Sequence, residues 1–315
     1  MQNFIDPAIL FFVYGVFAGA VRSDLEIPPA VAKFLSLYLL MALGLKGGFA
    51  LAKSGLTVDV GLTLLAAVAM AFLVPLLGYA VLKRFVAKFD AAAVAAAYGS
   101  VSAVTFVTTI QYLDTAGIAF GGHMPVAMVL MESPAIIVAV VLANSMRKTQ
   151  HTAVGHILHE SLTNGAHMLL IGGMIVGLVS GDAGQAVMQP FSVDLFKGML
   201  AFFLLDMGLM VARNFSDARK ASPALLAYAL LAPLVHATIA LGFARLLGLP
   251  VGDAVLLMVL SASASYIVVP AVLRDAIPEA NPAIYFGLSL GITFPFNLLV
   301  GIPLYARMAQ AVLVP

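Results

Sequence analysis

The chain has no cysteine, no tryptophan and few charges: 10% of its 315 residues are Asp, Glu, Lys or Arg. Without cysteine there are no disulfides, no thiolate nucleophile and no Cys-built metal site. Without tryptophan, anchoring at a membrane–water interface falls to Tyr, Phe, Arg and Lys. The scarcity of charge excludes most. A soluble domain carries about 25% charged residues. A chain that is 62% hydrophobic, with mean hydropathy +1.06, cannot cover a water-facing surface. It is read as an integral membrane protein. The net charge of +1 names no partner, and no basic excess is left for nucleic acid. The sequence offers no Gly-rich phosphate loop, nucleophile elbow or paired catalytic carboxylates, so the reading is not an enzyme. No basic region precedes the first apolar run, so no cleavable signal peptide is expected.

A spanning helix needs about 20 apolar residues. The hydrophobic runs predict an all-α membrane protein with ten spans. They lie near 7–21, 30–52, 58–81, 91–112 and 124–146, then near 163–179, 191–212, 223–247, 252–273 and 283–308. Turn-forming clusters separate them, among them Ile27-Pro28-Pro29, Gly181-Asp182 and Gly248-Leu249-Pro250. The halves are 1–146 and 161–315, joined by a short polar linker, 147–160, read as cytoplasmic. With both termini outside, eleven of the sixteen Lys and Arg fall on the cytoplasmic side, as the positive-inside rule asks.

The halves repeat each other. Tyr38-Leu-Leu-Met-Ala-Leu-Gly-Leu45 is echoed by Phe202-Phe-Leu-Leu-Asp-Met-Gly-Leu209. Gly44 precedes Ser102 by 58 residues, and Gly208 precedes Ser263 by 55. An odd number of spans per half makes the repeats inverted, the arrangement of many secondary transporters. At the echoed positions small polar residues interrupt apolar runs: Gly99, Ser100, Ser102 and Thr105 in the fourth span, Ser261, Ser263 and Ser265 in the ninth. Tight packing of small residues would suffice for either alone. The matched pair, with Pro270 after the second, predicts two crossed discontinuous helices, broken in the ninth span near 265–269. Half-helix N-termini opposed at mid-membrane suit a small anion, and freed carbonyls beside them a cation.

Three ionisable residues fall within or near the spans: Lys46, Glu132 and Asp206. Such residues are costly and mark candidate functional sites. In the repeat frame Lys46 and Asp206 lie one helical turn apart, which predicts a salt bridge, either a clamp between the halves or a relay. Glu132, just before Pro134, reads as a cation-handling carboxylate or as a cap on a break at that proline. His156, His159 and Glu160 share a helical face, more in keeping with a solvated linker than with a metal. His236 is expected to bond a neighbouring carbonyl, and His123 and His167 carry no signal.

Ser263-Ala-Ser-Tyr-Ile-Val-Val-Pro-Ala-Val-Leu-Arg274, followed by Ile277-Pro-Glu-Ala-Asn-Pro-Ala-Ile-Tyr285, resembles the sodium-dependent bicarbonate transporters first known from cyanobacteria. Those read roughly Ser-Ser-Ser-Asp-Ile-Ser-Gly-Pro-Pro-Thr-Leu-Arg, then Ile-Pro-Ser-Ala-Asn-Pro-Ser-Ala-Tyr. Gly44-Leu-Lys-Gly-Gly48, Gly99-Ser-Val-Ser-Ala-Val-Thr105 and Leu130-Met-Glu-Ser-Pro-Ala135 match further family motifs in order. The resemblance implies a 5+5 inverted repeat, a mobile core against a scaffold, a homotrimer and a cytoplasmic regulator of the PII type. It implies a permease of the plasma (inner) membrane that imports bicarbonate with Na⁺. The chain departs from the family at Tyr266, where the family has an Asp expected to hold the cation, and at Ala103, Val104, Val268 and Val269. The coupling ion therefore stays open between Na⁺ and H⁺. Another small monovalent anion, a monocarboxylate or a passive anion channel stand as alternatives.

Overall fold

Prolines and short capping side chains set where the helices begin. The computed structural model describes residues 6–55, 57–147, 163–218 and 221–314, with Gly155 and His159; most of the expected linker, including His156 and Glu160, lies outside these. Asp6 caps α1 (Pro7–Ala20), and α2 (Pro29–Ser54) opens on a proline. In a first turn the missing N–H has no intrahelical partner to lose. Thr57 caps α3 (Val58–Leu82). Then come α4 (Lys88–Gly99), α5 (Ala103–Ala116) and α6 (Met124–Met146). The second half holds α7 (Gly165–Gln189), α8 (Phe196–Ala218), α9 (Pro223–Leu247), α10 (Val251–Ala262) and α11 (Val268–Ala276). It ends in α12 (Pro282–Leu288), α13 (Phe294–Phe296) and α14 (Ile302–Leu313), joined by π turns at Ser289–Thr293 and Asn297–Gly301. Among the described residues there is no strand.

Seven stretches are long and apolar enough to cross a membrane, and α1 and α10 are apolar but shorter. The number differs from ten for local reasons. The expected sixth and seventh spans run as one helical stretch, Gly165–Phe215, bent at Gly181 with φ 53°. The expected ninth span is cut in two, α10 and α11. The cut falls at 263–267, overlapping the expected 265–269 and lying two residues earlier. Pro270 is the third residue of α11, where its missing N–H costs no bond. The expected fourth span is also cut, at 100–102. By contrast, α6 runs through Pro134 without a break, so Glu132 caps nothing there.

Helix packing is reciprocal between the halves. α1 lies along α8, and α2 lies along α7. A Cβ on Gly44 would strike the Leu170 carbonyl and crowd Met174 N; a Cβ on Gly208 would strike the Phe12 carbonyl and crowd Val16 N. Likewise Gly15 abuts the Leu205 carbonyl and Gly173 the Met41 carbonyl, while Gly19 and Gly177 abut those of Leu209 and Leu45. The two helix pairs thus use equivalent residues, at one offset between α1 and α7 and another between α2 and α8. Small residues let membrane helices approach this closely, and dispersion then holds them. A second group packs α3 with α4 and α6, and α9 and α14 with α10.

Loops tie each broken stretch to the other half. Asp90 in the first turn of α4 accepts from Asn281 N at 2.7 Å, and Asp253 in the first turn of α10 accepts from Gly121 N at 2.5 Å. Beside Asn281, Arg147 grips Glu279 with two bonds of 2.8 and 2.7 Å. The Arg147 hydrogen bond holds the Glu279 carboxyl below its ordinary value of 4.5. A lowered carboxylate pKa contributes stability that is complete above the unfolded value and disappears as pH falls through the folded one. With the Glu279 side chain 37% exposed, the pair is expected to contribute under about 1 kcal/mol. Thermal melts of wild type and Glu279→Gln should differ slightly at neutral pH and converge in acid; a gap that survives acid would contradict this.

Candidate functional site

The first break ends on Ser102 and the second holds Ser263 and Ser265, and the serines bind across the gap. Ser102 caps α5: its hydroxyl accepts from Thr105 N at 3.2 Å and from Thr105 Oγ1 at 2.9 Å. Ser265 does the same for α11, accepting from Val269 N at 3.2 Å. Having accepted from its own helix, the Ser265 hydroxyl keeps one O–H to donate, while the Ser102 hydroxyl hydrogen-bonds the Tyr266 hydroxyl. The backbones are also joined. Ser102 N donates to Ser263 Oγ at 3.0 Å, Ser263 Oγ donates to the Leu260 carbonyl at 2.9 Å, and Ser265 N donates to the Ala97 carbonyl at 2.7 Å. These bonds satisfy amides that a break would otherwise strand in a medium without water.

Between the breaks lies a cavity of about 70 Å³, lined by Ser102, Ala103, Ser265, Tyr266, Val268 and Glu132 among others. One water needs about 10–15 Å³, so the space admits several waters or a small ion. The N-terminal turns of α5 and α11 both open on it. Among the described residues, the N–H groups of Ala103, Val104 and Val268 have no hydrogen-bond partner. Helix N-termini carry partial positive charge. Two such ends and the Ser265 hydroxyl bring partial positive charge and hydrogen-bond donors to one small space.

The cavity has an acid–base pair that sequence reasoning found only in part. The Glu132 carboxylate meets His167 Nε2 on α7, with side chains 5% and 6% exposed. Tyr266 is 4% exposed; its hydroxyl reaches Met207 Sδ at 3.8 Å, and its ring stacks at a tilt 5.3 Å from Phe294.

Other sequence candidates lie around this site. Thr105 is next to it through Ser102. Gly99 stands off it, its missing Cβ filled by the Pro75 ring. Ser100 and Ser261 are buried, and among the described residues their hydroxyls have no hydrogen-bond partner. His236 bonds the Ser261 backbone, as expected. The predicted Lys46–Asp206 bridge is not formed. Lys46 Nζ bonds Asp114 at 3.0 Å and sits 4.8 Å from the Phe196 ring centre. That pair lines a separate cavity of about 330 Å³, with Lys53 and Gln185 on its wall. The end of α5 brings Asp114 to Lys46, a contact that repeat logic within α2 and α8 could not foresee. Asp206 is 8% exposed and has no ion-pair partner within 4.0 Å among the described residues. No cluster of three metal-ligating side chains occurs among the described residues.

Asn297 was also missed. It is fully buried in a π turn; its Nδ2 donates to the Ala262 carbonyl at 2.8 Å, and its Oδ1 accepts from Tyr305 OH at 2.9 Å. Ala262 ends α10 at the break, so Asn297 holds a carbonyl that the broken helix leaves open. A lone amide in the apolar run 284–306 was the available signal.

Among curated proteins none matches the sequence. The model of the Na⁺-dependent bicarbonate transporter superfamily matches residues 7–310, a stretch that contains both helix breaks and the cavity between them, and the chain belongs to that superfamily.

Proposed function

We propose that this protein is a secondary transporter that imports a small anion, bicarbonate first, by cation-coupled alternating access. One observation carries the reading: two half-helix N-termini and the Ser102 and Ser265 hydroxyls converge on a single small cavity within apolar surroundings. The anion's oxygens would take the Ser265 hydroxyl proton and the Ala103, Val104 and Val268 amides. The proposed frame is ten crossings, five in 1–146 and five in 161–315, related as an inverted repeat about the two breaks. The equivalence of the α1–α8 and α7–α2 glycine contacts supports it. So does the way loop contacts fall. Arg147 with Glu279, and Asp90 with Asn281, join ends that this topology puts on the cytoplasmic side; Gly121 with Asp253 joins two outside ends. The α3, α4, α6, α9, α10 group would move against the α1, α2, α7, α8 group, in the plasma membrane with both termini outside. Na⁺, the cation in the superfamily's description, and H⁺ are the two candidates for coupling.

Uptake of labelled bicarbonate into sealed proteoliposomes, with and without a cation gradient, tests the proposal. Saturable, gradient-stimulated uptake is expected, together with faster exchange of labelled for unlabelled bicarbonate than in protein-free vesicles. Linear, gradient-independent flux would point to a passive channel. Uptake of monocarboxylates but not bicarbonate would keep the transporter and change its cargo.

A further inference from the structure

We propose that the cavity around Lys46 is an outer receiving site for the transported anion, where the anion takes the place of the Asp114 carboxylate on the Lys46 ammonium. The inference rests on the transporter reading above and adds to it a second anion site, apart from the helix breaks.

The first argument is where the cavity lies. Leu40 lines the small cavity between the breaks, and Leu43 lines the larger one. The two residues are three apart on α2, about 4.5 Å of helix. On α5 the same succession runs from Val104 to Ile110. The two spaces therefore follow one another along the same pair of helices, parted by one or two turns of apolar side chains. The larger space continues to Lys53, Gln185 and Val193, near the ends of α2 and α7, which the proposed topology puts outside. An anion arriving from outside crosses it before it reaches Ser265.

The second argument is the cation. Lys46 shares the cavity wall with Leu43, Ile110, Phe120 and Pro125 and stands against the Phe196 ring. Charge at membrane depth is costly and marks function. The ammonium has three N–H donors, and among the described residues it gives one, to Asp114 at 3.0 Å. Lys53, farther out on α2, is already held by Gln185 at 2.7 Å and Asp182 at 3.3 Å. Lys46 is thus the cation that an entering anion meets with donors to spare.

The third argument is that Asp114 is replaceable. It lies in the last turn of α5, where the helix dipole disfavours a carboxylate, so Lys46 explains its position and its own helix does not. The side chains of Lys46 and Asp114 are 25% and 40% exposed, and an ion pair this wet is weak. Bicarbonate presents the same planar pair of oxygens as a carboxylate, so it competes with Asp114 on nearly equal terms, and Asp114 can turn to water. Helix α5 packs with α10, whereas α2 packs along α7. The change of partner therefore also unties an ion pair that spans the two helix groups at their outer end.

The test is exchange of labelled external for unlabelled internal bicarbonate in oriented proteoliposomes. Na⁺ and an alkaline pH are equal on both sides, and protein-free vesicles give the baseline. The half-saturating external concentration is measured for wild type, Lys46→Gln and Asp114→Asn. Lys46→Gln should raise it roughly tenfold, the low end for a hydrogen bond to a charged group. Asp114→Asn removes the competing carboxylate and should lower it by about two- to fivefold, the strength of an exposed ion pair. A clamp cannot give opposite signs, since it loses the same contact from either side. Asp114→Asn leaves every lysine in place and decides the matter even if Lys46→Gln does not fold. A raised or unchanged value in Asp114→Asn, or an unchanged one in Lys46→Gln, would overturn the site and leave the transporter standing. Absence of exchange in wild type would instead remove the bicarbonate reading itself, and this site with it.

Discussion

Gly44→Leu and Gly208→Leu are each expected to abolish stable folding. At both positions the space a side chain needs is filled by backbone: the Leu170 carbonyl against Gly44 and the Phe12 carbonyl against Gly208. Backbone atoms in a packed helix cannot swing aside as the tip of a side chain can. The helices must part, and with them go the neighbouring contacts at Gly48, Gly173, Gly15 and Gly19. Overpacking a close core typically costs about 1–3 kcal/mol, and separating a whole helix pair will exceed that range. Gly198→Leu is the control, because nothing lies within 4 Å of a Cβ there. Thermal unfolding in detergent, read by static light scattering, should show the first two variants collapsing and the third near wild type. Equal melting of Gly44→Leu and Gly198→Leu would contradict the interlocked packing.

Asn297→Leu should have the next largest effect. The substitution is close in volume but leaves the Ala262 carbonyl without its side-chain donor and the Tyr305 hydroxyl without its acceptor. Each orphaned buried group costs about 1–3 kcal/mol. The damage falls next to Ser263, whose hydroxyl holds the Ser102 amide across the gap. Transport should therefore fall further than stability, since every 1.4 kcal/mol of misplacement is about tenfold in an equilibrium constant. Asn297→Asp should fall between, because it keeps an acceptor for Tyr305 and loses the donor to Ala262. The measurement is a pair of numbers for each variant, melting temperature and initial bicarbonate exchange rate. An Asn297→Leu protein with both near wild type would show that the open carbonyl needs no partner.

The legible part of this protein was the part that composition and local spacing encode. The Gly44 and Gly208 echo pointed to equivalent positions, and both turn out to be points where a partner helix touches backbone. Ser102 and Ser265 were singled out because hydroxyl-bearing residues interrupted apolar runs, and both cap half-helices at the cavity. What escaped was pairing between distant segments. His167 gave no signal because its meaning depends on Glu132, on a helix with no sequence relation to it. Lys46 was matched to Asp206 because the repeat put them in register; the end of α5 supplied Asp114 instead. Pro270 was read as the breaker by its chemistry, yet proline serves equally well to begin a helix. The chain broke at the serines, which bond to backbone in ways a helix interior does not allow.

The exchange of partners between halves also governs how the protein can be made. α1 leaves the ribosome well before the helix it lies along, α8, which comes from the far half of the chain; α2 waits in the same way for α7. Until those arrive, the glycine-lined faces of α1 and α2 meet only lipid. Contacts this distant in sequence form late and slowly. The first half synthesised alone would therefore be a substrate for membrane quality control, and the two halves would become stable only when produced together, as two polypeptides that assemble into one body.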